Sequence, residues 1–277
     1  MGIMPARLVY QITPDRRVFG IPLEEIAYLN DICDRLGLDT ISAGNLVGLA
    51  MEEASRLGKI DDDIPYGHVD KIAALLKDMA HARGLGGILS EGIKIAGRKM
   101  GVADLAIHVK GLEPAGYDPR VLKGMGLAYG TSQRGVCHLR ATFYKPELGG
   151  IVDPGKIEGK AEVFTQWEDR LTFFDTLLLC RFYRDLYQWD QLEEMVNAVT
   201  GLELSTEDMV DIACWTTDQI RRFNIREGLT IEDDRSPPRF YEEPLPETGK
   251  VLTREQMGVM LKEYYHVGGL DSEGRPS

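Results

Sequence analysis

Two six-residue strings share an order of residue types: Asp34-Arg35-Leu36-Gly37-Leu38-Asp39 and, in the second half of the chain, Asp175-Thr176-Leu177-Leu178-Leu179-Cys180. A carboxylate can accept two parallel N–H bonds from one planar donor edge, and a thiolate can ligate a metal. Between the strings, His138 and Arg140 lie two residues apart in a block that starts at Arg134. A histidine can move a proton near neutral pH, and an arginine can hold an anion. Taken bare, all of these are ordinary residues. An acid before Leu-rich sequence is common on helix surfaces, a lone Cys in an apolar run is usually a buried thiol, and a lone His is usually structural. Cys33, Cys137 and Cys214, with His68, His81, His108 and His266, keep those roles. No C-x-x-C spacing joins the four cysteines, so a metal centre here needs ligands from elsewhere.

The elements that would position these residues read as helices. Pro22 to Leu36 carries Leu23, Ile26, Cys33 and Leu36 on one stripe, with Gly37 as its stop. Ser42 precedes a second helix that ends at Gly58. A third runs about Val69 to Arg83 with Gly84 at its exit, and a fourth, weakened by Gly92 and Gly97, runs Ser90 to Lys99. Ala106 to Leu112 alternates β-branched Ile107 and Val109 with polar neighbours and is the one strand expected. From Pro154 an apolar-rich stretch reaches Tyr187. Helices follow near Asp190 to Val199 and Thr206 to Arg226, the latter with a capping signal at Ser205 and Asp208. Four prolines between Pro237 and Pro246 mark a polar loop, and Thr253 with Gln256 caps a last helix through Tyr265. The expected fold is mainly α, in two helical lobes spanning residues 1–113 and 114–277.

Composition sets the outer limits. At 277 residues, 43% hydrophobic and 27% charged, the chain is long enough for a real core and unlike disordered or low-complexity sequence. Its net charge of −12 repels phosphate backbones, so no nucleic-acid partner is expected. No apolar run approaches the ~18 residues of a membrane helix, and Met1 to Gln11 lacks the pattern of a signal peptide. The expectation is a cytoplasmic protein with no membrane partner.

Wording adds what composition cannot. The strings ICDRLGLDTISAGN, HVKGLEPAGYDPRVLKGMGLAYGTSQRGVCHLRA, RLTFFDTLLLCRFYRDLY and REGLTIEDDRSPPRFYEEPLPETG closely resemble the aldehyde ferredoxin oxidoreductase family, the tungsten-pterin enzymes. The resemblance runs from about Val9 to Pro276 and covers only that family's two C-terminal helical domains. It implies a tungsten (or molybdenum) bis-pterin cofactor, with Asp34 and Asp175 each presented to one pterin. Gly37, Leu38, Asp39, Leu179 and Arg181 would make the neighbouring contacts, and Arg140 would bind cofactor charge. Cys180 matches one cysteine ligand of a 4Fe-4S cluster, placed directly after the pterin-contacting Leu179. His138 falls where the family has a histidine beside the substrate pocket. The implied reaction turns a small aldehyde and water into a carboxylate, with electrons leaving through pterin and cluster to ferredoxin.

Several features depart from that pattern. The family's N-terminal domain is absent, and with it three cluster cysteines, so an N-terminal domain or separate subunit is an implied partner. A homo-oligomer is compatible with the resemblance. Gln11 stands where many members carry a Glu near the metal, and Pro14 to Gly20 differ from the usual loop. Tyr28 stands near a Glu that in some members helps hold a metal between subunits, so no such metal is expected. Two alternatives therefore stay open: a reductase of the same family acting on an acyl-CoA or a carboxylate, and a non-catalytic degenerate or assembly module.

Overall fold

The computed structural model describes residues 17–18, 21–56, 58, 64, 66–246 and 248–277. Among these, strand structure is limited to a two-residue antiparallel pairing of Arg17–Val18 with Ile21–Pro22 and two isolated bridges. The rest of the regular structure is helical, and the mainly-α expectation holds. The chain forms two compact units. The first contains residues 1–117, 134–136 and 236–243, and the second residues 118–133, 137–235 and 244–277.

In the first unit α1 (Leu23–Leu36), α2 (Thr40–Arg56), α3 (Val69–Ala80), α4 (Gly84–Leu89) and α5 (Ile93–Lys99) follow one another. The apolar stripe of α1, from Ile26 through Leu29 to Cys33, shares a core with Leu46, Leu49 and Ala50 of α2 and with Ile72, Leu76 and Met79 of α3. Burying stripes of this kind supplies most of a short helix's stability. The start of α2 is pinned by polar contacts. Ser42 Oγ donates to Glu113 Oε2 at 2.9 Å, and Asn45 Nδ2 donates to the Pro114 carbonyl at 3.1 Å. Glu113 Oε1 also accepts from the Ile93 amide at 3.1 Å, which satisfies the first turn of α5. The short α11 (Pro238–Glu242) belongs to this unit, where Arg239 forks onto both Glu52 oxygens at 2.9 Å.

Three sequence expectations shift. Gly84 opens α4 rather than ending the third helix, and Gly92, at φ +85°, separates α4 from an α5 that starts at Ile93. The strand expected over 106–112 does not form. Lys110 and Gly111 both take left-handed φ (+55° and +91°), folding the chain back so that Val109 and Leu112 make a single bridge. A pattern of alternation without a neighbouring strand to pair leaves only a tight turn, whose apolar members pack into the core as loop.

The second unit is built around α6 (Lys123–Thr131), which is buried on every face. Three glycines make that close packing feasible. A Cβ on Gly124 would lie 2.3 Å from the Phe143 ring, and one on Gly130 would lie 2.3 Å from the Asp234 carbonyl oxygen. Helices α7 (Tyr144–Leu148), α8 (Lys160–Thr176), α9 (Trp189–Thr200), α10 (Thr206–Arg226) and α12 (Arg254–Val267) complete the unit, with α8 packed on α6, α10 and α12. The predicted caps form: Ser205 and Asp208 bond reciprocally at α10, as do Thr253 and Gln256 at α12. No helix among the described residues is long and apolar enough to cross a membrane.

Candidate functional site

The first of the paired strings closes α1. Gly37, at φ +70°, donates its N–H to the Asp34 carbonyl at 3.3 Å, and Leu38 donates to the Cys33 carbonyl at 2.9 Å. This pair of bonds is a Schellman ending, and it needs a left-handed residue at position 37. The turn leaves the Asp34 carboxylate at the exposed helix end, where its one short-range partner given by the geometry is Asn30 Nδ2 at 3.4 Å. Asp39 behaves differently. Its Oδ1 accepts from the Ser42 amide at 2.8 Å, so this carboxylate caps α2.

The second string closes α8 by the same two bonds. Leu178 N–H donates to the Asp175 carbonyl at 3.1 Å and Leu179 N–H to the Phe174 carbonyl at 3.0 Å. Asp34 and Asp175 therefore occupy the same position of the same backbone motif, each three residues before the left-handed residue that closes it. The second copy forms without glycine: Leu178 takes φ +54° and is 93% exposed. A leucine in that region costs about 1–2 kcal/mol. Strain at an exposed apolar side chain is a feature that function, rather than packing, must account for.

Asp175 is engaged where Asp34 is open. Its Oδ2 accepts from Arg140 Nη1 at 2.8 Å and from Arg181 Nη2, and its Oδ1 accepts from Arg181 Nε at 3.1 Å. Arg181 also donates to the carbonyls of Leu139, Arg140 and Leu171. All five guanidinium protons are thus committed inside the protein, and Arg181 ties the 139–140 segment to the end of α8. Arg140 keeps capacity in reserve. Its Nη2 donates to Thr172 Oγ1 at 3.2 Å, while its Nε is buried without an acceptor.

His138 is buried on that same segment, 6.3 Å ring to ring from Tyr144. Four residues on, buried Thr142 takes φ +46°, an outlier for a β-branched residue. Cys180 begins the single-turn helix Arg181–Tyr183 and is exposed, unlike the buried thiol that bare sequence suggests. Around it Leu178, Phe182 (78% exposed) and Leu186 (64% exposed) also face outward. No group of three or more metal-ligating side chains occurs among the described residues. Gln11 and most of the loop from Pro14 to Gly20 lie outside the described residues.

Residues 20–277 match the family model for aldehyde ferredoxin oxidoreductase, domains 2 and 3. The chain belongs to that family. It is 33% identical over 265 residues to a tungsten-containing aldehyde ferredoxin oxidoreductase of Pyrococcus furiosus, covering 91% of this chain and 44% of the relative. A second such enzyme, from Thermococcus kodakarensis, is 32% identical over the same shares. An aliphatic sulfonate oxidoreductase subunit of P. furiosus is 28% identical. The chain thus spans less than half the length of these relatives. Among solved structures, the BamBC active-site complex of benzoyl coenzyme A reductase, bound to 1,5-dienoyl-CoA, shares the fold with a TM-score of 0.71 at 18% identity, covering 92% of this chain and 45% of that one.

The geometry can be tested against the pterin cofactor of aldehyde ferredoxin oxidoreductase. The open Asp34 carboxylate fits a planar N–H edge, and the orphan Arg140 Nε fits an anion. Asp175 fits only in part, because both of its oxygens already accept from guanidiniums. Of the residues that sequence singled out, the second unit brings Arg140, Asp175 and Arg181 into one network, with Leu179 in the same turn. In the first unit Asp34, Gly37, Leu38 and Asp39 share one turn. Sequence reasoning missed Thr172, whose hydroxyl orients Arg140; its spacing of three residues before Asp175 on one helix face was the available signal. It also missed the strain at Leu178, since a leucine gives no hint of left-handed backbone.

Proposed function

We propose that this chain is the cofactor-holding C-terminal part of a tungsten-pterin (or molybdenum-pterin) oxidoreductase that oxidises a small aldehyde to a carboxylate and passes electrons through a 4Fe-4S cluster to ferredoxin. The observation that carries this reading is the repeated turn, with one aspartate at the same position in each copy, in a chain matched by this family over residues 20–277. The metal-pterin group, when bound, supplies two-electron redox chemistry at the substrate carbon. The chain's own residues bind and orient it. Asp34 would accept the N–H edge of one pterin. At the second turn Arg140 would offer its unpaired Nε to cofactor charge, and Asp175, held by Arg140 and Arg181, would face the other pterin. Arg181 stays in place, holding the 139–140 segment against α8.

Cys180 supplies one cluster ligand, and a partner domain supplies three, since a cluster of this type takes four thiolates. His138 would carry the acid-base role beside the substrate, since an imidazole can both accept and donate a proton. A second reading, a reductase of the same family with a different substrate, draws on Gln11, which cannot exchange a proton as the family's Glu can.

Co-expression with a family N-terminal domain tests the assignment. The purified pair is expected to contain tungsten or molybdenum, and iron, and to reduce a viologen dye with aldehydes. Asp34→Ala should cut metal content at least severalfold while leaving thermal unfolding unchanged, because the side chain is exposed and weakly bonded. Full metal content in that variant overturns the role of Asp34. Absence of both metals and iron from the folded wild-type pair overturns the catalytic reading in favour of an assembly module.

A further inference from the structure

Helix α8 carries two adjacent carboxylates that none of the roles above uses. Glu168 is 2% exposed, and its Oε2 accepts from the Tyr264 hydroxyl at 2.9 Å. Its other oxygen, Oε1, is buried with no hydrogen-bond partner. Asp169 is half-buried and accepts from the Cys214 thiol. Both line a cavity of about 90 Å³ within the second unit, walled by the end of α6, by α8, by α10 and by α12. A second orphan, Thr217 Oγ1, belongs to the same wall. Buried polar atoms without partners beside a space of this size call for ordered water, and the volume holds roughly three molecules.

We propose that this cavity is a proton relay, in which water joins the buried Glu168 carboxyl to Asp169 and through it to solvent. Its inner end is Glu168, one helical turn from Thr172, where Arg140 is bound. Its outer end is Asp169. The Tyr264 hydroxyl donates to Glu168 Oε2, so the carboxyl proton resides on Oε1, the orphan oxygen. Water accepts that proton and delivers another to Asp169, which releases it to bulk. In the isolated chain the same water reprotonates the Glu168 carboxylate left behind; in turnover the replacement proton is one released by the reaction proposed above. No electrons move, and each group returns to its starting state.

The surrounding charges agree with this order. Burial raises the Glu168 carboxyl against the opposing pull of Arg140, of the Tyr264 hydrogen bond, and of Arg181 and Arg221, and Arg221 is itself paired with Asp234 at 2.7 Å. Burial pushes Asp169 up, and the Glu168 charge, present once Glu168 has given up its proton, brings it to about 7, which suits proton transfer at neutral pH. From α10, Asp218 is also raised by burial, and the Cys214 thiol is pushed up to about 12. On α12 the Tyr264 hydroxyl is raised well above its ordinary value. Cys214 and Tyr264 therefore keep their protons and act as fixed donors. That the relay drains protons released when water and an aldehyde form a carboxylate rests on the function proposed above. The relay itself is a property of the isolated chain and is tested there.

Infrared spectra of the full chain should show a protonated carboxylic C=O stretch at neutral pH that is lost in Glu168→Gln and shifts promptly in D₂O. A second such band should titrate near the value given for Asp169 and vanish in Asp169→Asn. In Asp169→Asn the deuterium shift of the Glu168 band should slow by roughly a hundredfold, since the exit group is gone. If Glu168→Gln does not fold, Tyr264→Phe, which removes only the donor, must instead move the frequency of that band. An ionised Glu168 at neutral pH, or an unchanged exchange rate in Asp169→Asn, overturns the relay and leaves the cofactor assignment standing.

Discussion

Leu178 shows how a single residue can carry information that its type hides. The equivalent position of the first turn is Gly37, which takes left-handed φ without steric cost, whereas Leu178 takes it while almost fully exposed. Leu178→Gly should therefore raise stability by about 1 kcal/mol, read as a higher denaturant midpoint at unchanged slope. A lower midpoint would mean that the leucine packs on something in solution. The same scale decides a pH effect. Asp169 is raised in the folded protein from 3.8 to about 7, so folding favours its protonated form. That contribution is complete below about pH 4 and is lost as pH rises through about 7. Unfolding free energy should fall across this window, and Asp169→Asn should flatten the slope. A slope that survives the substitution assigns the titration to another group.

Elements were legible where a repeating stripe or a cap marked them. The α10 and α12 starts follow from Ser205 with Asp208 and from Thr253 with Gln256, because each pair satisfies otherwise orphaned amides. The Schellman end of α1 was legible through Gly37, while its twin at α8 was not, because Leu178 breaks the glycine rule. Helix α6 was not read at all. It is buried all round, so it has no polar face to set a period, and its glycines look like breakers rather than packing faces. Gly124→Ala should cost about 3 kcal/mol, because the added carbon meets the Phe143 ring at 2.3 Å. Gly258→Ala, at an exposed position of α12 with nothing within 4 Å, should instead gain about 0.5–1 kcal/mol. Thermal unfolding of the two variants separates steric crowding from helix propensity.

At the scale of the molecule, the most telling surface is the one around Cys180. Cys180 is exposed within a run of outward-facing apolar side chains, Leu178, Phe182 and Leu186. Contiguous exposed apolar surface marks a contact site, and under the proposed function the thiol within it would join ligands from the contacting polypeptide. The other cysteines differ in kind. Cys33 and Cys137 are buried, burial pushes Cys33 up to about 11, and Cys214 is held as a thiol beside Asp169. Mild alkylation of the isolated chain should therefore modify Cys180 first, since reactivity follows access and thiolate content. In the pair assembled with a family N-terminal domain, Cys180 should be protected while the alkylation rates of Cys33, Cys137 and Cys214 stay unchanged. Peptide mapping reads both outcomes. Protection that persists after iron is chelated would assign the shielding to the apolar contact, and protection lost with iron would assign it to the cluster. Equal labelling of Cys180 with and without the domain would show that such a domain does not sit on this face.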